Sequence, residues 1–377
     1  MIRSIEKEGC CGCSACEYVC PVGAIHMEPD ALGYLFPILN EGVCIKCNLC
    51  SKVCPFENVV THSEKQSVYS ARHHNNYEVE SSRSGAVFVA LSDVILKNGG
   101  VVYGAGYGDY FRVEHKRALS REGCHEFKGS KYSQSDLRGI YSQLRQDLMR
   151  GVPVLFSGTP CQCEAIRRVT QKHNQSNLLL VDIVCHGVSS PAIWNEFLHW
   201  VERESKSKIL SVDFRDKSIF GWDGLHKESY LLETGKKYLA KYTYYSDLHM
   251  RESCCVCQYS SLNRPSDITI GDLWGWEKVC PDMNSDKKGC SLVIVNSEKG
   301  RRLFQVSSGD LIVKEIDLSQ CMQPNLVHPT KRNPKSREFY EDYKNKGFKY
   351  IIRKYYPSRM EILYHRVFDF MKRVINR

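Results

Sequence analysis

The sequence predicts a mixed protein, α+β at its start and α/β beyond, in three parts: a small cysteine-rich domain (1–60), a larger mixed α/β domain (68–325) and a helical C-terminal tail (326–377). Three observations predict it. Two identically spaced cysteine blocks occupy the first 55 residues, apolar residues then alternate between helical and strand periods, and basic residues gather at the end.

The cysteine blocks are Cys10-x-x-Cys13-x-x-Cys16-x-x-x-Cys20-Pro21 and Cys44-x-x-Cys47-x-x-Cys50-x-x-x-Cys54-Pro55. Three thiolates at i, i+3 and i+6 grip three corners of an iron–sulfur cubane, and the cysteine before the proline of the other block reaches the fourth iron. The sets therefore cross over. Cys10, Cys13, Cys16 and Cys54 are expected to hold one [4Fe–4S] cluster, and Cys44, Cys47, Cys50 and Cys20 the other. Zinc sites and disulfides do not require a fourth cysteine followed by proline, twice over. A ferredoxin-like electron-transfer unit results, with short strands at 25–27 and 34–37 beside the cluster loops.

Polar residues 57–67 predict a linker. Ala86, Val87, Ala90, Leu91, Val94 and Ile95 recur at helical spacing; Ser82 or Ser84 can cap that helix, and Gly99 and Gly100 end it before a strand at 101–103. Gly104 to Gly108 lack the spacing of a dinucleotide fingerprint and predict a turn. Leu137, Ile140, Tyr141, Leu144 and Leu148 form a second helical face, followed by a strand at 152–156, a turn at 157–160, a short helix, a strand at 178–185 and a helix opened by Pro191. Such alternation predicts an α/β sheet. Residues 209–240 predict strands with a turn at Thr234-Gly235, so the later part is expected to be more antiparallel.

A chain of 377 residues, 42% hydrophobic, can bury a substantial core. Nineteen cysteines, no apolar signal core in the first ten residues and no run of eighteen apolar residues predict a cytosolic, oxygen-sensitive protein with reduced thiols. The net charge is +9, and residues 331–377, with 14 Lys/Arg against 5 Asp/Glu, supply the whole excess. A local basic appendage argues against a nucleic-acid partner. Met360, Leu363, Val367, Phe370, Met371 and Val374 fall on one helical face of the tail, with Arg359, Arg366, Lys372, Arg373 and Arg377 elsewhere. Such a helix could lie peripherally on an anionic inner membrane, dock an acidic ferredoxin, or pack on the larger domain with its charges solvated.

Beyond the first unit, Cys161 follows a turn at a helix start, Cys185 ends an apolar strand before His186, and Cys254 and Cys257 form a C-x-x-C. These four are candidate ligands of a third cluster; the alternative is two buried small hydrophobes and a redox or zinc fragment. Cys11, Cys124, Cys163, Cys255, Cys280, Cys290 and Cys321 remain spare, most of them expected to be structural.

Several segments, Ser82-Arg83-Ser84-Gly85, Gly129-Ser130-Lys131-Tyr132-Ser133-Gln134-Ser135, Ser157-Gly158-Thr159-Pro160-Cys161-Gln162, Asp182-Ile183-Val184-Cys185-His186-Gly187, Ser253-Cys254-Cys255-Val256-Cys257 and Gly271-Asp272-Leu273-Trp274-Gly275, occur in this order. In them the chain resembles the coenzyme F420 hydrogenase/dehydrogenase beta-subunit family, in its bacterial form with an N-terminal ferredoxin domain. The resemblance implies FAD beside a [4Fe–4S] cluster in the second domain and makes Cys161, Cys185, Cys254 and Cys257 its ligand set. Relatives tend to carry glycine where this chain has Ala86, whose methyl would crowd a backbone contact to flavin.

A flavin needs phosphate donors, a cation and a slot for its ring. Ser82, Ser84 and Gly85 are expected to offer N–H groups to phosphate, Lys131 a cation and Tyr132 an aromatic wall, with Gly129, Ser130, Gly158, Thr159 and Asp272 completing the candidate site. His186 is the candidate proton shuttle, the alternative being a histidine satisfied by a neighbouring carbonyl. The chain is accordingly expected to take electrons from a ferredoxin-like donor, through the clusters, to FAD and an organic substrate, small or lipid-linked, such as a surface-polysaccharide precursor. The alternative is an electron-relay subunit of a larger redox complex, without a substrate of its own.

Overall fold

The computed structural model describes residues 7–57, 65–173, 175–222, 228–240 and 244–356. In the N-terminal module β1 (Ile25–Pro29) and β2 (Leu35–Leu39) pair antiparallel, with Ile25 opposite Leu39. The cysteine loops close on this hairpin through one-turn helices at Ala15–Tyr18 and Leu49–Val53. Each short helix is entered through a left-handed residue, Ser14 or Asn48, which lets the loop turn back on its thiols.

Eight strands then form one sheet: β3 (Ser67–His73), β4 (Val101–Tyr107), β5 (Val113–Ala118), β6 (Val154–Gly158), β7 (Leu178–Ile183), β11 (Ile268–Asp272), β12 (Ser291–Val295) and β13 (Leu311–Glu315). Their order is β13-β3-β12-β11-β7-β6-β4-β5. The four central strands, β4, β6, β7 and β11, run parallel to one another, and antiparallel pairs flank them on both sides. This mixed α/β architecture is the one the periodicity predicts. Parallel strands must be covered on both faces, and the runs Val-Val-Tyr of β4 and Val-Leu-Phe of β6 are fully buried. One face packs on helix Tyr141–Met149 through Leu137, Ile140, Leu144 and Leu148; the other packs on helix Val87–Lys97 and helix Glu298–Ser307.

A smaller antiparallel sheet, β8 (Ile209–Asp213), β9 (Glu228–Leu232) and β10 (Lys237–Ala240), lies in the order β10-β9-β8. It shares a core with helix Pro191–Ser205, capped by Ser190, and with Phe339, Phe348 and Ile351 of the helical segment Ser336–Tyr355, which breaks at Gly347. Residues 357–377, where the amphipathic basic helix is expected, lie outside the described residues. So do residues 58–64 of the expected linker; β3 begins at its last residue, Ser67.

Two local expectations are overturned. Gly104 to Gly108 are not a turn: β4 runs through Tyr107, and its glycines leave room for neighbours, since a Cβ at Gly104 would meet the Phe127 ring at 2.7 Å. Nor do Ser82 or Ser84 cap the helix. Its N-cap is Ala86, in the left-handed region at φ 61°.

Candidate functional site

The carboxyl ends of parallel strands are where α/β sheets build their sites, because the loops that leave them diverge and open a crevice. Here β6 leads to Thr159 and Cys161, β7 to Cys185 and His186, and β11 ends at Asp272. A cavity of about 770 Å³ lies among these ends.

Nearly all the expected flavin residues line it: Ser82, Ser84, Gly129, Ser130, Lys131, Tyr132, Gly158, Thr159 and Asp272. Gly85 does not. Its N–H donates to Ser291 Oγ at 2.9 Å, and a Cβ there would strike the Ala71 carbonyl, so this glycine serves strand-to-helix packing instead of phosphate binding. The Ser84 hydroxyl is likewise turned away, donating to the Cys290 carbonyl at 2.6 Å. Asp272 holds arginines, pairing with Arg215 at 2.5 Å and with Arg83 at 3.8 Å. Arg215 also lies over the Trp274 ring. The Tyr132 ring stacks on Tyr244, with centroids 4.2 Å apart, and so forms one wall.

The cavity suits an anionic, polar ligand on two observations. Lys131 takes part in none of the ion pairs among the described residues; it donates to the Lys128 carbonyl at 3.0 Å and faces the Tyr107 ring, and burial lowers its pKa to about 8. The cavity-lining atoms Ser82 Oγ and His115 Nδ1 are buried without a hydrogen-bond partner among the described residues. Such groups are costly to leave unmet, and a bound polar ligand would satisfy them. Burial also lowers His115 to about 4, so its ring is neutral.

His186 lies in the cavity wall. Its Nε2 is 2.8 Å from Asp247 Oδ1, and Thr330 Oγ1 is 3.3 Å from its Nδ1 while donating to its carbonyl at 2.7 Å. It is thus a histidine anchored by its neighbours and open to the cavity on one side.

The thiols fall into three groups. Cys54 lies beside Cys13 and Cys16 of the first block; burial and the neighbouring thiols raise Cys16 and Cys54. Cys20 joins Cys44, Cys47 and Cys50 around one gap. Cys161, Cys185, Cys254 and Cys257 surround another gap, which Cys11 also lines. Burial and the neighbouring thiols push Cys185 up to about 12 and Cys257 to about 11, whereas Cys161, hydrogen-bonded by Cys11, is lowered to about 7. Among the described residues no three His, Cys, Asp or Glu side chains meet closely enough to hold a single metal ion. A cubane spaces its thiolates more widely than one ion does, and each of the three sets carries the four soft sulfur donors that it takes.

Two residues link these groups, and neither was expected to. Cys11, counted among the spare cysteines, has its thiol between those of Cys13 and Cys161, joining the first set to the third. Cys185 lines both the third gap and the large cavity. Arg83, Arg215 and His115 were also missed as cavity residues; only Arg83 sat inside a conspicuous segment.

Residues 152–319 match the family model for the C terminus of the coenzyme F420 hydrogenase/dehydrogenase beta subunit. One subunit of the F(420)H(2) dehydrogenase of Methanosarcina mazei is 22% identical over 93% of this chain and 96% of its own length. The N-terminal module resembles an uncharacterized ferredoxin of Methanocaldococcus jannaschii, 48% identical over 15% of this chain and 35% of that protein. It also resembles one component of the Haemophilus influenzae anaerobic dimethyl sulfoxide reductase, 43% identical over 12% of this chain and 21% of that component. A polypeptide of the F420-reducing [NiFe] hydrogenase complex from Methanosarcina barkeri is 19% identical, with a TM-score of 0.49, over 75% of this chain and 94% of that one. These relatives are redox proteins by name, and the module carrying the doubled cysteine block is of the ferredoxin type, which implies [4Fe–4S] clusters. Over residues 152–319 the chain is thus similar to the coenzyme F420 hydrogenase/dehydrogenase beta-subunit family, the family that the motifs of this sequence resemble.

Proposed function

We propose that this chain is an electron-relay subunit of a larger redox assembly, holding three [4Fe–4S] clusters and a flavin, FAD by its family resemblance, and exchanging electrons between a low-potential protein partner and a two-electron carrier. The relay reading takes precedence over an enzyme acting on a polysaccharide precursor, for which neither the cavity nor the relatives supply support. One observation carries it: the thiol sets follow one another, from Cys47 at the surface, by way of Cys50 and Cys20, which share a packed cluster with Cys16, to the set of Cys10, Cys13, Cys16 and Cys54, then through Cys11 to Cys161, and through Cys185 to the cavity.

The division of labour follows from position. Residues 1–60 would collect single electrons, residues 68–325 would hold the third cluster and the flavin, and residues 326–377 would brace the smaller sheet and carry the basic tail. A flavin, when bound, converts between one-electron and two-electron chemistry. Arg83, Arg215 and Lys131 would neutralise its phosphates, Tyr132 and Trp274 would flank its ring, and His186, oriented by Asp247, would hold or release a proton at Nε2 or Nδ1. Among the described residues no helix is long and apolar enough to cross a membrane; the basic tail, as an amphipathic helix, would make peripheral contact with an anionic surface.

A second reading has one observation in its favour. The His186–Asp247 pair faces the cavity like an acid–base group, which suits an organic substrate bound beside the flavin. Anaerobic purification followed by iron, sulfide and flavin assay tests the cofactors: three clusters give about twelve irons per chain and two give about eight. Co-purification of the native complex separates the readings. A chain that isolates alone, and turns over a small organic acceptor unaided, defeats the relay.

A further inference from the structure

The guanidinium of Arg251 is 1% exposed and sits where the ferredoxin module meets the larger domain. Its Nε donates to the Cys10 carbonyl at 2.7 Å, Nη2 to the Leu35 carbonyl at 2.9 Å and Nη1 to Gln134 Oε1 at 2.9 Å. It also lies over the Phe36 ring at 4.4 Å and the Tyr34 ring at 5.2 Å. None of the ion pairs among the described residues involves it.

A cation buried without a counter-charge is costly, and neutral carbonyl oxygens offset only part of that cost. The negative charge it lacks is close by. Arg251 lines the gap enclosed by Cys161, Cys185, Cys254 and Cys257, and it holds the backbone of Cys10 in the first block. It therefore reaches ligands of both inner sets. Around the distal set of Cys20, Cys44, Cys47 and Cys50 the one cation among the residues lining the gap is Lys46, which is exposed, so water and salt screen its charge.

Cluster potentials depend on net charge, hydrogen bonding and exposure, and a nearby fixed cation favours the reduced, more negative form. We propose that Arg251 is the shared counter-charge of the two inner clusters, raising both their potentials relative to the distal cluster so that electrons arriving at the surface are drawn inward. It is a positioning residue, acting through the clusters and touching no substrate. The inference rests on the cluster reading given above.

The test is a potentiometric titration, followed by electron paramagnetic resonance, of the anaerobic holoprotein and its Arg251→Met and Arg251→Lys variants. In Arg251→Met the electron equilibrium between inner and distal clusters should move at least tenfold toward the distal one, about 59 mV for a one-electron couple. Arg251→Lys, which keeps the charge, should recover most of the difference. Gln134→Glu provides the same test without removing the arginine, because a carboxylate facing Nη1 would neutralise it; the inner potentials should again fall. Unchanged inner potentials in Gln134→Glu, or equal shifts of all three clusters in Arg251→Met, would overturn the proposal. Fewer than about twelve irons in the unmutated protein would instead overturn the ligation of the third set, leaving the first cluster on which to read the effect of Arg251.

Discussion

Cys44, Cys47 and Cys50 sit on one short loop, with Cys47 exposed, whereas Cys161, Cys185, Cys254 and Cys257 come from three separate segments and face inward around a gap beside the large cavity. The first set is organised by local chain geometry. The second exists only because a parallel sheet brings its strand ends together. A locally built, exposed site suits exchange with a passing partner, and a globally built, sheltered one suits delivery to a bound cofactor.

Serine substitution tests this contrast most directly. Cys47→Ser and Cys185→Ser should each lower iron from about twelve to about eight per chain. Only Cys185→Ser should also cut reduction of the proposed flavin by chemical reductants acting through the clusters, by at least tenfold in anaerobic stopped-flow absorbance. Equal effects from the two would erase the distinction between surface and interior.

Air is a gentler probe. On brief exposure, iron should leave the distal set first, as seen in the loss of its resonance signal while those of the inner sets persist.

Acid should strike the interior instead. Burial lowers His115 to about 4 and His249 to about 3. The unfolded chain takes up these protons near pH 6.5, which the folded chain refuses, so the stability is full above that pH and falls as pH drops toward 4. His115 alone is worth on the order of 3 kcal/mol across that window. In urea unfolding at pH 7 and pH 5, His115→Gln should show a smaller loss between the two than the unmutated protein.

The cysteine blocks were legible because each supplies three ligands within seven residues of chain, so spacing alone encodes geometry. The sheet was legible for a similar reason: Leu178 to Val181 and Val154 to Phe156 are apolar runs too short for a core helix, and the structure buries nearly all of both as strands. Arg251, Arg215 and His115 were not, since an isolated arginine or histidine in sequence resembles any surface residue. Gly85 was misjudged for a related cause. A glycine before a helix suggests phosphate binding, but the same missing Cβ also permits the close approach to Ala71 and Ser291 that the structure uses.

Two smaller effects sharpen the picture at the domain junction and the cavity rim. Tyr141 donates to the buried Cys13 carbonyl at 2.6 Å. Tyr141→Phe strands that carbonyl and should cost about 1–3 kcal/mol in chemical denaturation. Ala86 holds a left-handed backbone that glycine adopts freely, so Ala86→Gly should stabilise the protein by about 0.5–1 kcal/mol and tighten flavin retention in dialysis.

The ferredoxin module is gripped mostly by its main chain: Tyr141 takes the carbonyl of Cys13, Gln134 that of Cys11, Arg251 those of Cys10 and Leu35, and Tyr259 that of Pro55, while Ser190 bonds to Leu32. A socket that recognises the path of a loop and is indifferent to most of its side chains can accept foreign plugs. Grafting another two-cluster ferredoxin of equal loop lengths onto residues 65–377 should yield a working hybrid, and the surface of the plug, free to vary, becomes the part that chooses the donor.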